Sequence, residues 1–264
     1  MKKYIFMAVA GMLALSSCSN DDNDVQNTQY APRQMTFSAE YNEGDQMRAT
    51  MDGSTKKVSF VANDEISILS ANNTNTKFTT TAGGASATFT GTATADSKFY
   101  AVYPYTADLT LDTSTGIISG VKIPNVQTIA ATSGWDPAAP IAYATTTSTS
   151  LQFHNACALL KIINDRGDAT NISVECNQAL TGTFSLNTSS GALSGSSTKN
   201  NAAVVNVPSD KTIYIAIAPG TKPYFIARWR SDLGNAMKMK MSPTTFEAGK
   251  IYDLGKTSEW TEAL

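Results

Sequence analysis

The sequence predicts an all-β protein built as two β-sandwich domains, on three observations. Short runs rich in Thr, Ser, Ala, Val and Ile recur along the body, and turn residues interrupt them at close intervals. No stretch sustains apolar residues at i, i+3, i+4 and i+7, so helices are at most short. Many short strands at this spacing pack as sandwiches with Greek-key connections. About 230 residues from residue 34 onward suffice for one large β domain or two of ordinary size, and two is the favoured reading.

The first element is not part of the body. Lys2 and Lys3 precede an apolar run from Tyr4 to Leu15, which leads into Leu15-Ser16-Ser17-Cys18. That order reads as a lipoprotein signal over residues 1–17, because the run is shorter than the roughly 20 residues that span a bilayer and the cysteine follows a Leu-small-small triplet. Cys18 is therefore the expected lipidated first residue of the mature chain, with the outer membrane as the partner of its acyl chains. Residues 18–33, with Asp21-Asp22-Asn23-Asp24 near their start, carry little to bury and read as a flexible acidic tether.

The strand candidates follow in order. The first half offers Met35 to Glu40, Lys57 to Val61, Glu65 to Leu69, Ala87 to Gly91, Lys98 to Tyr103 and Gly116 to Ile123. The second offers Ser150 to Phe153, Ala158 to Asn164, Asn171 to Cys176, Leu180 to Asn187, Ala203 to Val207, Thr212 to Ala218, Tyr224 to Ser231, Ala236 to Met241 and Ile251 to Leu254. Turn signals such as Asp52-Gly53, Gly83-Gly84, Arg166 to Asp168, Ser190-Gly191 and Leu233 to Asn235 separate them. The Thr/Ser run from Thr145 to Ser150 marks the expected boundary between an N-terminal domain, residues 34–149, and a C-terminal one, residues 150–264.

Charge and chemistry narrow the function. Loss of Lys2 and Lys3 with the signal lowers the basic count from 20 to 18, against 22 acidic residues, which leaves a net charge near -4. Nucleic acid is thus not an expected partner, since a polyanion calls for a basic stripe and the spaced set Arg228, Arg230, Lys238 and Lys240 reads as a strand face. The single histidine, His154, lies three residues before Cys157; on a strand the two point to opposite faces, so no dyad is expected, and no Gly-x-Ser-x-Gly elbow occurs. Asp64, Glu65, Asp165, Asp168, Asp210 and Asp232 sit beside loop signals, where acids serve turns. No catalytic residue, metal ligand set or cofactor is therefore assigned. Cys157 and Cys176 fall on successive expected strands, and either a disulfide across a hairpin or two buried thiols is consistent with that spacing. Trp135, Trp229, Trp260 and the tyrosines 100, 103 and 105 are read as core and rim, with a sugar-stacking platform as the rival reading.

Four local patterns together resemble the fimbrillin family of Bacteroidia. They are Met47-Arg48-Ala49-Thr50-Met51-Asp52-Gly53 with Val58 to Phe60 and Asn63 to Ile68; Phe99 to Tyr105; Leu151 to Ile162; and Phe246 to Leu254. The resemblance implies two transthyretin-like β-sandwiches, a place in a fimbria or on the cell surface, and other fimbrillin-like subunits as partners. It further implies processing after Arg48, which would release a first strand and leave a groove for a strand from another subunit. An ordinary loop arginine at that position is the alternative. A donor segment after the last core strand would have to come from Gly255 to Leu264, which is short, or begin at Lys250. Other expected partners are a host or bacterial surface glycan or protein, and glycan capture for uptake is the second functional reading.

Overall fold

A computed structural model describes residues 31–42, 50–51, 58–130, 134–205, 207–230, 236–241 and 243–260. Cys18, Arg48, the signal, the tether up to residue 30 and the turns at Asp52-Gly53 and Leu233 to Asn235 lie outside them. In chain order the strands are β1 (Arg33–Tyr41), β2 (Thr50–Met51), β3 (Val58–Ser59), β4 (Glu65–Ser70), β5 (Asn73–Thr80), β6 (Ser86–Ala93) and β7 (Phe99–Tyr103). Next come β8 (Thr110–Asp112), β9 (Ile117–Ile123), β10 (Val126–Gln127), β11 (Ala142–Thr146), β12 (Ser150–Asn155), β13 (Ala158–Asn164), β14 (Asn171–Cys176), β15 (Thr181–Asn187) and β16 (Leu193–Lys199). The last are β17 (Asn201–Val205), β18 (Lys211–Ile217), β19 (Gly220–Lys222), β20 (Phe225–Arg230), β21 (Ala236–Met241), β22 (Thr244–Phe246) and β23 (Ile251–Lys256), followed by a single 3-10 turn, Thr257–Glu259.

The fold is all-β. Its first body closes on itself: seven strands hydrogen-bond in the ring β1-β12-β11-β7-β4-β5-β6 and back to β1. The interior is filled by alternating residues from every strand. Phe37, Phe78, Phe89, Phe99 and Phe153 supply bulk, while Ala39, Ala87, Ala101, Ala142 and Ala144 supply the room they need. Phe37 meets the rings of Phe78 and Phe99 edge-on at 5.4 and 5.2 Å, and Phe60 enters from a loop held to Gly84 by an isolated bridge. Gly91 is required here, since a Cβ at that position would lie 2.7 Å from the Phe78 ring.

The second body is a sandwich. The sheet β18-β13-β23 packs on the five-stranded sheet β10-β17-β14-β20-β21, with Leu160, Ile162, Ile213 and Ile215 facing Ile172, Val174, Val204 and Trp229. A further sheet, β16-β15-β9-β8, covers the outer face of the ring. Between them a third cluster joins Tyr100, Val102 and Tyr143 of ring strands to Ile118, Phe184, Leu159 and Ala216. This layering explains the near-continuous apolar runs. In β7 every residue is buried, because Phe99, Ala101 and Tyr103 face the ring interior while Tyr100 and Val102 face the neighbouring cluster.

The strand pairings cross the expected boundary at 149/150. Ser150 to Asn155 complete the ring, whereas β9 pairs with β15 and β10 with β17. The outer edge of β18 is partly covered by loop groups. Tyr214 N donates to Gly134 O at 2.8 Å, and the Gln127 side chain takes the place of a peptide, donating to Ala216 O at 2.7 Å and accepting from Ala216 N at 2.9 Å.

Candidate functional site: the first strand and its slot

β1 alternates as its sequence predicts. Its odd-numbered residues from Met35 to Ala39 turn inward, with Phe37 and Ala39 fully buried, while Gln34, Thr36, Ser38 and Glu40 face solvent. Burying one phenylalanine contributes about 1.5–3 kcal/mol. On one side β1 runs antiparallel to β6 over eight register pairs, Arg33↔Ala93 to Glu40↔Ser86. On the other it runs parallel to β12 over four, Ser38↔Ser150 to Tyr41↔Phe153, extended by Ser38 N donating to Thr149 O and Asn42 N to Phe153 O, both at 2.9 Å. Removal of this one strand would leave two rows of unpaired backbone groups facing each other across a slot lined by Phe78, Phe89, Phe99, Leu151 and Phe153. The chain continues from Asn42 into the segment that holds Arg48.

The C-terminal strand is fastened differently. β23 runs parallel to β13, with Leu159↔Ile251, Leu160↔Tyr252 and Lys161↔Asp253 in register. Beyond it Trp260 is buried in the sandwich core and its Nε1 donates to Leu254 O at 2.9 Å. Asp165 accepts from Ser258 N at 2.9 Å, from the Ser258 hydroxyl, and from Thr257 Oγ1 at 3.0 Å. These bonds, that to the Ser258 hydroxyl foremost, hold the Asp165 carboxyl at about 2, below the usual carboxylate range. Asn164, fully buried behind it, donates to Ala169 O and Pro208 O at 3.1 and 3.0 Å. Residues 251–260 are thus built into their own body, so neither Gly255 to Trp260 nor a segment beginning at Lys250 hangs loose as a donor. The residues beyond Trp260 lie outside those described.

Cys157 and Cys176 are both free and buried. The hairpin that would have set them face to face does not form, because β13 pairs with β18 and β23 while β14 pairs with β17 and β20. Each strand buries its apolar face against the opposite sheet of the sandwich instead. The Cys157 sulfur accepts from Ile141 N at 3.4 Å, and burial pushes its thiol up to about 12. Cys176 donates to Gln178 O at 3.0 Å, and burial raises its thiol as well. The fold also buries Lys222, which sequence patterning does not single out; its amine donates to Ala179 O at 2.9 Å and Pro219 O at 3.3 Å, and burial pushes it down.

His154 lies half-buried on β12, 3.3 Å from Asn42 Nδ2, whereas Cys157 is sealed behind Ile141. The turn acids do what turns require. Asp64 accepts from Val61 N at 2.8 Å, and Asp168 pairs with Arg166 through two bonds of 2.9 Å. All three tryptophans are buried, as are Tyr100 and Tyr103, so none of them offers an open stacking face. Among the described residues no group of three or more His, Cys, Asp or Glu side chains is placed to hold a metal ion, and no helix is long and apolar enough to cross a membrane.

No protein-family model matches the chain, and no curated protein matches it. Solved structures do. A Bacteroides uniformis protein provisionally assigned to cell adhesion aligns over 86% of this chain and 95% of its own at 17% identity, with a TM-score of 0.53. This chain shares its fold. A Bacteroides ovatus protein with the same provisional assignment aligns over 88% of this chain and 95% of its own, at 15% identity and a TM-score of 0.52. The ring and sandwich described above are therefore an architecture already seen in two crystal structures.

Proposed function

We propose that this chain is a fimbrillin-like subunit or adhesin of the cell surface, with no catalytic role, delivered as a lipoprotein through Cys18 and held initially at the outer membrane. Its partners are other subunits of the same kind, and its mode of assembly is donor-strand exchange. The observation that carries the reading is β1, a single terminal strand that closes a seven-stranded ring between β6 and β12 and continues into the segment containing Arg48. Cleavage after Arg48 would sever β1 from the rest of the chain and leave only ladder bonds and the inward side chains of Met35, Phe37, Ala39 and Tyr41 to hold it. An incoming strand with the same alternation would recover both. The shared fold with two proteins provisionally assigned to cell adhesion, and the four sequence patterns, support the same reading.

The fastening of residues 251–260 refines it. A segment held by Trp260 and Asp165 favours a position that receives a strand without giving one from that segment, as an anchor or a tip would. The test is the mass and N-terminal sequence of the protein recovered from the surface of its native cells. A chain beginning at Ala49, without lipid, supports strand exchange after cleavage at Arg48. One that still begins at lipidated Cys18 would sink that mechanism.

A further inference from the structure

Where the ring meets the sheet that covers it, four segments converge on a cleft of about 280 Å³: the start of β7, the end of β11, the β8–β9 turn and the β15–β16 turn. Its walls carry Lys98, Tyr100, Ser114, Thr145, Thr188 and Ser189, and no carboxylate lines it. The floor is Gly116, at φ +70°, where a Cβ would lie 3.1 Å from Thr188 Oγ1 and 3.6 Å from the Tyr100 ring; any other residue would begin to fill the space. The Lys98 ammonium stands 4.8 Å from the centre of the Tyr100 ring and forms no salt bridge among the described residues. For a chain with more acidic than basic residues, a cleft with a cation and no acid is a selective place.

The hydroxyl groups show what kind of ligand suits it. Thr188 Oγ1 donates its proton to Gly116 O at 2.7 Å, and Ser114 Oγ donates to Asp112 Oδ1 at 2.6 Å. A hydroxyl whose proton is committed offers only lone pairs to a visitor. Bare anions such as phosphate have acceptors to present to those lone pairs, whereas a polyol brings O–H donors. A volume just under the usual 300–1,000 Å³ of small-molecule pockets admits one or two sugar rings rather than a long chain.

From these features together we infer that the cleft binds an acidic sugar, a uronate or other carboxylated monosaccharide unit at the end of a glycan, with its carboxylate on Lys98 and its hydroxyls on Thr188 and Ser114. The site does not depend on strand exchange and would serve an assembled or a solitary subunit alike. Ligand-detected NMR titration of the purified full chain with glucuronate, glucose, acetate and inorganic phosphate tests it. Glucuronate is expected to bind with a dissociation constant on the order of 1 mM. Glucose should bind at least about tenfold more weakly, and acetate and phosphate more weakly than glucuronate. Lys98→Gln should weaken glucuronate about tenfold while sparing glucose, and Lys98→Arg should retain binding. Thr145→Leu, a change on an exposed rim that fills the cleft, should abolish binding of both sugars. The inference is overturned if glucuronate shows no saturable binding up to about 50 mM. Binding of acetate or phosphate as strong as that of glucuronate, or indifference to both Lys98→Gln and Thr145→Leu, would overturn it equally.

Discussion

The two bodies each place a strand from near one end of the chain parallel to a strand from its middle, β1 beside β12 and β23 beside β13, yet they secure those strands by different means. β1 is held by backbone ladders on both sides and by two fully buried side chains, Phe37 and Ala39. β23 has its ladder to β13 and then a specific lock: Trp260 in the core, its indole on Leu254 O, and Asp165 gripping Thr257 and Ser258. Backbone ladders are indifferent to sequence, so β1 is specified by little beyond its alternation and the places that Phe37 and Ala39 fill. The lock on β23 reads particular side chains, and a foreign segment would not reproduce it.

The largest test of that contrast is a pair of core truncations. Phe37→Ala and Trp260→Ala should each cost about 3–5 kcal/mol in urea unfolding. For a chain cut after Arg48, an excess of a peptide of residues 33–41 should restore the stability lost in Phe37→Ala. Addition of residues 251–260 as a peptide should not restore that lost in Trp260→Ala. Rescue of both would erase the distinction. A smaller effect concerns the ring wall alone. Gly91→Ala forces a methyl group against Phe78 and the Lys77 carbonyl and should cost about 1–3 kcal/mol, with the loss seen in amide exchange of β5 and β6 before that of β13 and β14.

The smallest effect is that of acid on the lock. The Asp165 carboxyl sits at about 2 in the folded chain, below its ordinary 3.8. A depressed carboxylate contributes stability that is complete above its unfolded value and is lost as the pH falls through the folded one. The lock should therefore hold unchanged down to about pH 4 and weaken between there and about pH 2. Amide protection of Ser258 measures this directly, and Asp165→Asn should flatten the profile. A lock that loosens near neutrality would show that Asp165 is not its main grip.

Much of this architecture is legible from residue patterns, and the lapses have physical causes. β1, β7, β13 and β14 announce themselves by alternation or by apolar runs, because their own side chains build the cores. Asn73–Thr80 and Leu193–Lys199 do not, since NTNTKFTT and LSGSSTK contain almost nothing apolar; they are strands because a neighbouring strand supplies the ladder. The Thr/Ser run at residues 145–150 looks like a linker, but Thr146 ends β11 and Ser150 begins β12 in the same ring. In the candidate site the exposed-buried rhythm of β1 can be read directly. The lock cannot, because Asp165 and Ser258 are 93 residues apart and only the folded chain brings them together.

Closure of the ring also has a temporal meaning. Glu40 and Gln152 are neighbours across the β1–β12 seam, yet 112 residues separate them, and every other strand of the ring lies between. As the chain emerges from its N-terminus, β1 can pair with β6 early, but the seam cannot be sewn until more than half the sequence has appeared. Long-range contacts of this kind are the slow ones to form. Of all the pairings that close the ring, those of β12 are therefore the last to become possible as the chain emerges, and until then the first body stands open along that seam.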